Sequence, residues 1–159
     1  MQIEVLAVGK IKENYLKKGI EEYLKRLQPY AKLNIIEISE EKLPSNPSPK
    51  DEEEVKNKEG DRILARLKED TFIAVLDKDG DMPTSEGLAE KLQQLMVSGK
   101  SHLTIIIGGS LGLPDRVLKR ADIRLSFGKL TYPHQLMRLI VLEQIYRCFK
   151  IIRGEPYHK

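Results

Sequence analysis

Two histidines and a few arginines near the C-terminus carry most of the acid–base and anion-binding chemistry that this sequence can offer. His134 and Arg138 are four residues apart in a stretch that reads as a helix, so the imidazole and the guanidinium share one face. The last seven residues, RGEPYHK, add Arg153, Tyr157, His158 and Lys159. A histidine titrates near neutrality and suits the role of general base, and a nearby arginine can stabilise a forming anion. Cations for phosphate and a ring for stacking are also what an RNA-facing tail needs, although a polar terminus can equally be a frayed end. His134 has a plain alternative as well, a helix-start histidine satisfied by backbone.

Backbone groups form the second chemical resource. Gly108-Gly109-Ser110-Leu111-Gly112 follows a buried apolar run, and a loop of Gly128, Thr131, Tyr132 and Pro133 follows another. Glycines let N–H and C=O groups approach a ligand closely. The first turn is not G-x-G-x-x-G, and G-x-x-x-x-G-K-[ST] is absent, so neither a dinucleotide fingerprint nor a P-loop is supported. By itself the glycine turn could be no more than a tight strand-to-helix connection. Cys148 is the only cysteine, which excludes an internal disulfide and a cysteine metal cluster. The three histidines are scattered without ligand spacing, and no metal is expected.

Hydrophobic periodicity supplies the elements that must position these groups. Strands are expected at Gln2–Val8, Lys32–Ser39, Thr71–Leu76, Leu103–Ile107 and Ile123–Phe127. Helices are expected at Glu13–Leu27, Asp51–Lys68, Ser85–Val97, Pro114–Arg120 and from Pro133 to Ile152. Ser85 is the expected N-cap of its helix, and Asp77-Lys78-Asp79-Gly80 the expected turn after the third strand. Leu43–Pro49, with three prolines, reads as a loop that with the next helix could form a flap. Alternating strand and helix means an α/β fold: a mostly parallel sheet with helices on both faces. Ligands in such sheets bind outside the carboxyl ends of the strands. Leu76 and beyond, Gly108–Gly112 and Phe127–Tyr132 meet that condition. A pocket built from them has few charged side chains and suits an adenosine-type ligand better than a polyphosphate. The last helix has one apolar face through Val141, Ile145, Cys148, Phe149 and Ile152, and a second strip through Met137, Ile140 and Ile151. One face packs on its own domain, and the other is expected to pack on a second subunit.

The 159 residues suit one domain, and the net charge of +3 conceals an asymmetry. Residues 1–109 hold 17 Lys+Arg against 20 Asp+Glu, a net of −3, whereas residues 110–159 hold 10 against 4, a net of +6. A basic C-terminal third is a candidate footprint for a phosphate backbone. The N-terminus has an acid inside its short apolar run and so does not read as a signal peptide. No apolar run is long enough for a membrane span, and the expected compartment is the cytoplasm.

The strand end Val75–Asp77, the turn Ile105–Leu113 (IIIGGSLGL), the loop Leu125–Arg138 (LSFGKLTYPHQLMR) and the ending Arg153–Lys159 together resemble the RlmH family of SPOUT-type rRNA methyltransferases. The resemblance covers essentially the whole chain. It implies a single SPOUT domain over residues 1–159, with a C-terminal trefoil knot over roughly 71–153, although periodicity alone argues against a knot. It implies S-adenosylmethionine as methyl donor, N3 of a pseudouridine in 23S rRNA as acceptor, and a homodimer. Carried over by position, Leu76, Gly108, Phe127, Gly128, Lys129, Leu130, Thr131 and Tyr132 would hold the cofactor. Arg153, Tyr157, His158 and Lys159 would face the nucleotide. The chemistry needs a base for the N3 proton, His158 or His134, and a cation for the anion, Arg138 or Arg153. Asp77 is a weaker base. A rival reading is a non-catalytic ribosome-associated factor that docks on RNA through its basic third; another is a small-molecule enzyme that uses the glycine turn for a nucleotide.

Overall fold

Every residue of the chain, 1–159, is described by the computed structural model. Five apolar runs form one sheet: β1 (Gln2–Val8), β2 (Lys32–Ile38), β3 (Phe72–Asp81), β4 (His102–Ile107) and β5 (Ile123–Leu125). The helices between and after them are α1 (Asn14–Leu27), α2 (Pro49–Leu64), α3 (Ser85–Val97), α4 (Asp115–Leu118) and α5 (His134–Ile152). The strand order is β2-β1-β4-β3-β5, and every pairing is parallel.

Side chains alternate across a strand, and this alternation sorts the core into two layers. Ile3, Val5, Ala7, Leu103, Ile105 and Ile107 point to the side covered by α1, α3 and α5. Leu6, Val8, Ile73, Val75 and Ile106 point to the other side, where Ile63 of α2 and Val117 of α4 close over them. Two-sided burial explains why β1 and β4 read as nearly continuous apolar runs rather than alternating ones.

Three local expectations are corrected. Thr84, not Ser85, caps α3: its Oγ1 accepts from Gly87 N at 3.1 Å, and Ser85 is the first helical residue. The expected turn at Asp77–Gly80 is a continuation of β3. A bulge lets both Leu76 and Asp81 pair with Leu125 of β5. Gly80 makes this possible, because a Cβ there would lie 2.6 Å from the backbone carbonyl carbon of Arg124. Helix α2 begins earlier than expected, at Pro49, and also stops earlier, at Leu64. Its start is a capping box in which Ser48 Oγ accepts from Asp51 N at 3.2 Å and Asp51 Oδ2 accepts from Ser48 N at 2.8 Å. The Ser48 hydroxyl also donates to Asp51 Oδ2 at 2.7 Å, and this bond, then the one from Ser48 N, holds the Asp51 carboxyl below the usual carboxylate range.

Helix α5 begins directly after Pro133, whose fixed φ suits a helix start, and buries Arg138, Val141, Leu142, Ile145, Cys148 and Phe149. It lies across α1 and α3. Gly19 of α1 comes so close that a Cβ there would sit 2.9 Å from Leu139 Cδ2.

Candidate active site

Because β4, β3 and β5 are neighbours, the segments that leave their carboxyl ends share one edge of the molecule. Between β3, β5, α3 and α5 that edge opens into a cleft of about 330 Å³. Met82, Pro83, Thr84 and Ser85 form one wall, Ser126, Phe127 and Gly128 another, and Ile140 and Gln144 of α5 the third. No charged side chain lines it. Beneath lies a smaller apolar space of about 50 Å³, where Leu76 meets Leu125, Phe127 and Ile145. Phe127 borders both. Gly128 adopts φ +116°, with nothing within 4 Å of where a Cβ would stand. Its N–H donates to Ser126 Oγ at 3.3 Å, while the Ser126 hydroxyl lies 3.2 Å from Gly128 O. A glycine is needed for that backbone, and the open space beside it leaves room for a ligand.

The residues expected to hold the cofactor are therefore brought to neighbouring strand ends but not into a single wall. Phe127 and Gly128 line the cleft, and Leu76 lies beneath it. Lys129, Leu130, Thr131 and Tyr132 form an exposed loop beyond Gly128, with Leu130 76% exposed. Gly108 stands at the end of β4, where its turn folds tightly on itself. A Cβ there would be 3.1 Å from Gly112 C, and Gly112 N donates to Gly109 O at 3.1 Å.

The two histidines attend different strand ends. His134, in the first turn of α5, stands beside Gly9 at the end of β1: a Cβ on Gly9 would lie 3.6 Å from its Nε2. Arg138, one turn on, is fully buried. Its Nη2 donates to Val8 O at 3.0 Å and Gly9 O at 2.6 Å, and its Nη1 donates to Glu37 Oε1 at 3.0 Å. Burial lowers the Arg138 pKa, opposed by the Glu37 carboxylate. This guanidinium is committed to tying α5 to the end of β1, with no open face toward the cleft.

The C-terminal tail is docked rather than frayed. Glu155 accepts from Tyr30 Oη and Lys150 Nζ, both at 2.6 Å. Arg153 lies over the Tyr30 ring, 4.5 Å from its centroid, on the α1 side of α5. Tyr157 Oη donates to Glu143 Oε1 at 3.0 Å and lies 3.1 Å from Tyr23 Oη. Burial, then these two partners, push the Tyr157 phenol well above its ordinary pKa, which suits it to holding position rather than taking a proton. His158 Nε2 lies 2.8 Å from Glu86 Oε1, and its Nδ1 lies 3.2 Å from Arg147 Nη1. Glu86 is in the first turn of α3 and follows Ser85 of the cleft wall. Ser85 Oγ donates to Gln144 Oε1 at 3.1 Å, and Gln144 Nε2 donates to Glu143 Oε2 at 2.7 Å. One hydrogen-bonded path thus runs from the tail to the cleft. Lys159 is exposed beyond it.

A family described as "Predicted SPOUT methyltransferase" matches residues 1–158. The chain is 60% identical to the ribosomal RNA large subunit methyltransferase H of Carboxydothermus hydrogenoformans, over the full length of both chains. It is 59% identical to the protein of that name from Alkaliphilus oremlandii and 55% identical to that from Lysinibacillus sphaericus, again over the full length of both. The chain belongs to the RlmH family of SPOUT methyltransferases.

SPOUT methyltransferases use S-adenosylmethionine, and the residues at the cleft fit such a group. Phe127, Leu88, Ile140 and Pro83 offer apolar surface to an adenosine, and Thr84, Ser85, Ser126 and Gln144 offer hydroxyl and amide partners without a competing cation. A sulfonium beside a cluster of lysines would be repelled, and no lysine lines this cleft. Cys148 lines the apolar space under the cleft, where it is buried and burial pushes its thiol up to about 12, so it is not a reactive thiolate. Sequence reasoning missed Glu86, Glu143 and Arg147. Their role comes from meeting the tail in space. Only the Glu143–Arg147 pair, four apart on a helix, was open to detection, and such pairs are usually surface decoration.

Proposed function

We propose that this protein transfers a methyl group from S-adenosylmethionine to N3 of a pseudouridine in 23S ribosomal RNA, in the cytoplasm. The relatives named as ribosomal RNA large subunit methyltransferases support the substrate class. The observation that carries the chemistry is His158, held at the cleft rim by Glu86. The cofactor, when bound, supplies an electrophilic methyl on a sulfonium. What remains for the chain is to hold the uracil in line and to take the N3 proton, and positioning alone is worth several kcal/mol. His158 is the base in this reading. Leu76, Gly108 and the segment Phe127–Tyr132 hold the cofactor, and Tyr157 with Arg153 supports the tail. His134, beside Gly9, is left as a contact of the β1 end rather than as the base.

The single domain spans 1–159 in this reading, and the segment from about 71 to 153 forms a trefoil knot. The working unit is a homodimer. The half-buried strip of Met137, Ile140 and Ile151 on α5 and the exposed Leu130, Tyr132 and Met82 near the cleft support a partner surface. In the dimer, the Phe127–Arg138 segment of one subunit faces the RNA beside the other's cofactor, while each docked tail serves its own cleft. The test is turnover on ribosomal particles by His158→Ala and His134→Ala. The expected outcome is loss of about 10²-fold or more in kcat for His158→Ala with normal cofactor binding, in line with a general base's usual contribution. Normal turnover by His158→Ala would overturn the assignment. Absence of S-adenosylmethionine binding by calorimetry would favour a non-catalytic RNA-binding role.

A further inference from the structure

Two neighbours, Arg147 and Glu86, set which nitrogen of His158 carries the proton. A guanidinium only donates hydrogen bonds, so at 3.2 Å from Arg147 Nη1 the Nδ1 atom must accept with its lone pair. The ring proton then sits on Nε2, which donates to Glu86 Oε1 at 2.8 Å. Both partners select the same tautomer. Hydrogen bonds from its own backbone, then from His158, hold the Glu86 carboxyl below the usual range, so it remains an ionised acceptor. A doubly protonated ring would set an Nδ1–H against the Arg147 N–H groups. Arg147 is anchored from below: its Nε donates to Glu143 Oε1 at 3.1 Å, and its guanidinium lies 4.8 Å from the Tyr157 ring centroid.

We propose that Glu86 is a positioning residue for methyl transfer: it fixes His158 as the Nε2–H tautomer, making Nδ1 the nitrogen that takes the N3 proton, and Arg147, which caps Nδ1 in the free chain, turns onto the uracil's developing negative charge. This rests on the reading of His158 as the base. The N3–H bond breaks and its proton passes to Nδ1. Its electron pair stays on N3 and becomes the new bond to the methyl carbon, while the pair of the broken carbon–sulfur bond stays with sulfur. The imidazolium then donates through Nε2 to a carboxylate already in place, and later returns the Nδ1 proton to water. The assignment also replaces Arg138, sealed at the end of β1, and Arg153, stacked on Tyr30, with an arginine that touches the base.

The experiment is nitrogen-15 NMR of the full-length protein labelled at histidine, with His158 identified by its loss in His158→Ala, together with kinetics on ribosomal particles. Wild type is expected to show the Nε2–H tautomer. Glu86→Ala, in which only Arg147 still selects the tautomer, should weaken that preference and lower kcat by about 10- to 10²-fold, the scale expected of a misplaced catalytic group, with KM for S-adenosylmethionine unchanged. Glu86→Gln should restore both, because its amide oxygen accepts the same N–H. With the Glu86 side chain 61% exposed, neither change threatens the fold. A wild-type ring protonated at Nδ1, or an unchanged kcat in Glu86→Ala, overturns the proposal while leaving the base reading intact. Normal turnover by His158→Ala defeats the base reading itself, and with it any catalytic role for Glu86.

Discussion

Arg138 shows how a residue read as chemistry can turn out to be architecture. Its spacing from His134 was legible, but its burial was not: nothing in a single sequence says that the carbonyls of Val8 and Gly9 lie within reach of a helix more than a hundred residues later. Replacing it with Ala strands those carbonyls and leaves a hole. The expected cost is about 3 kcal/mol or more by urea denaturation, on the scale of breaking a buried charged network. A loss under about 1 kcal/mol would show that the bonds are dispensable. His158 stands in the proposed reading as the base. Its type and place near the terminus were enough to nominate it, whereas Glu86, 72 residues away, became visible only in three dimensions. Glu59 makes a pH-dependent prediction. It is buried on α2, where loss of hydration raises its pKa, opposed by the backbone N–H of Glu41, which it accepts at 3.0 Å. A carboxyl whose folded pKa exceeds its unfolded one favours folding at low pH and loses that contribution as pH rises through the folded value. Glu59→Gln, which keeps an accepting oxygen, should therefore be more stable than wild type at pH 7, and the gain should vanish toward pH 4. Urea titrations at both pH values check the sign, and a gain that grows on acidification would contradict it.

At the scale of elements, the readable parts were those fixed by period and punctuation. Helix α3 was expected and found at Ser85–Val97, and α5 begins at His134 as Pro133 requires. The parallel order followed from alternating strand and helix patterns, because two-sided burial leaves continuous apolar runs. The extension of β3 was not readable, since Asp77-Lys78-Asp79-Gly80 carries every mark of a turn. It stays extended because Gly80 lets β5 approach and because Arg124 pairs with Asp77. That extension delivers Met82–Ser85 to the cleft. In Gly80→Ala the new methyl would meet backbone at 2.6–2.7 Å, which no rotamer change relieves. The expected loss is about 1–3 kcal/mol with weaker S-adenosylmethionine binding, seen by thermal melting and calorimetry. Wild-type affinity in that variant would detach the bulge from the site.

For the whole molecule, the charge asymmetry and the two-sided apolar character of α5 point beyond one subunit. One copy of this 159-residue fold offers little surface for a ribosomal target. Sedimentation at micromolar concentration should show a dimer, and Met137→Glu, in the half-buried strip but outside the cleft lining, should yield monomers that have lost most turnover. A fully active monomer would contradict the shared site. The central claim is that backbone turns at three neighbouring strand ends close round one adenosyl group. Its most direct test is a crystal structure of the protein with S-adenosylmethionine. The cofactor should lie against Leu76, Gly108 and the Phe127–Tyr132 segment, with its methyl open toward a tail histidine; density for it anywhere away from these three strand ends would contradict the claim.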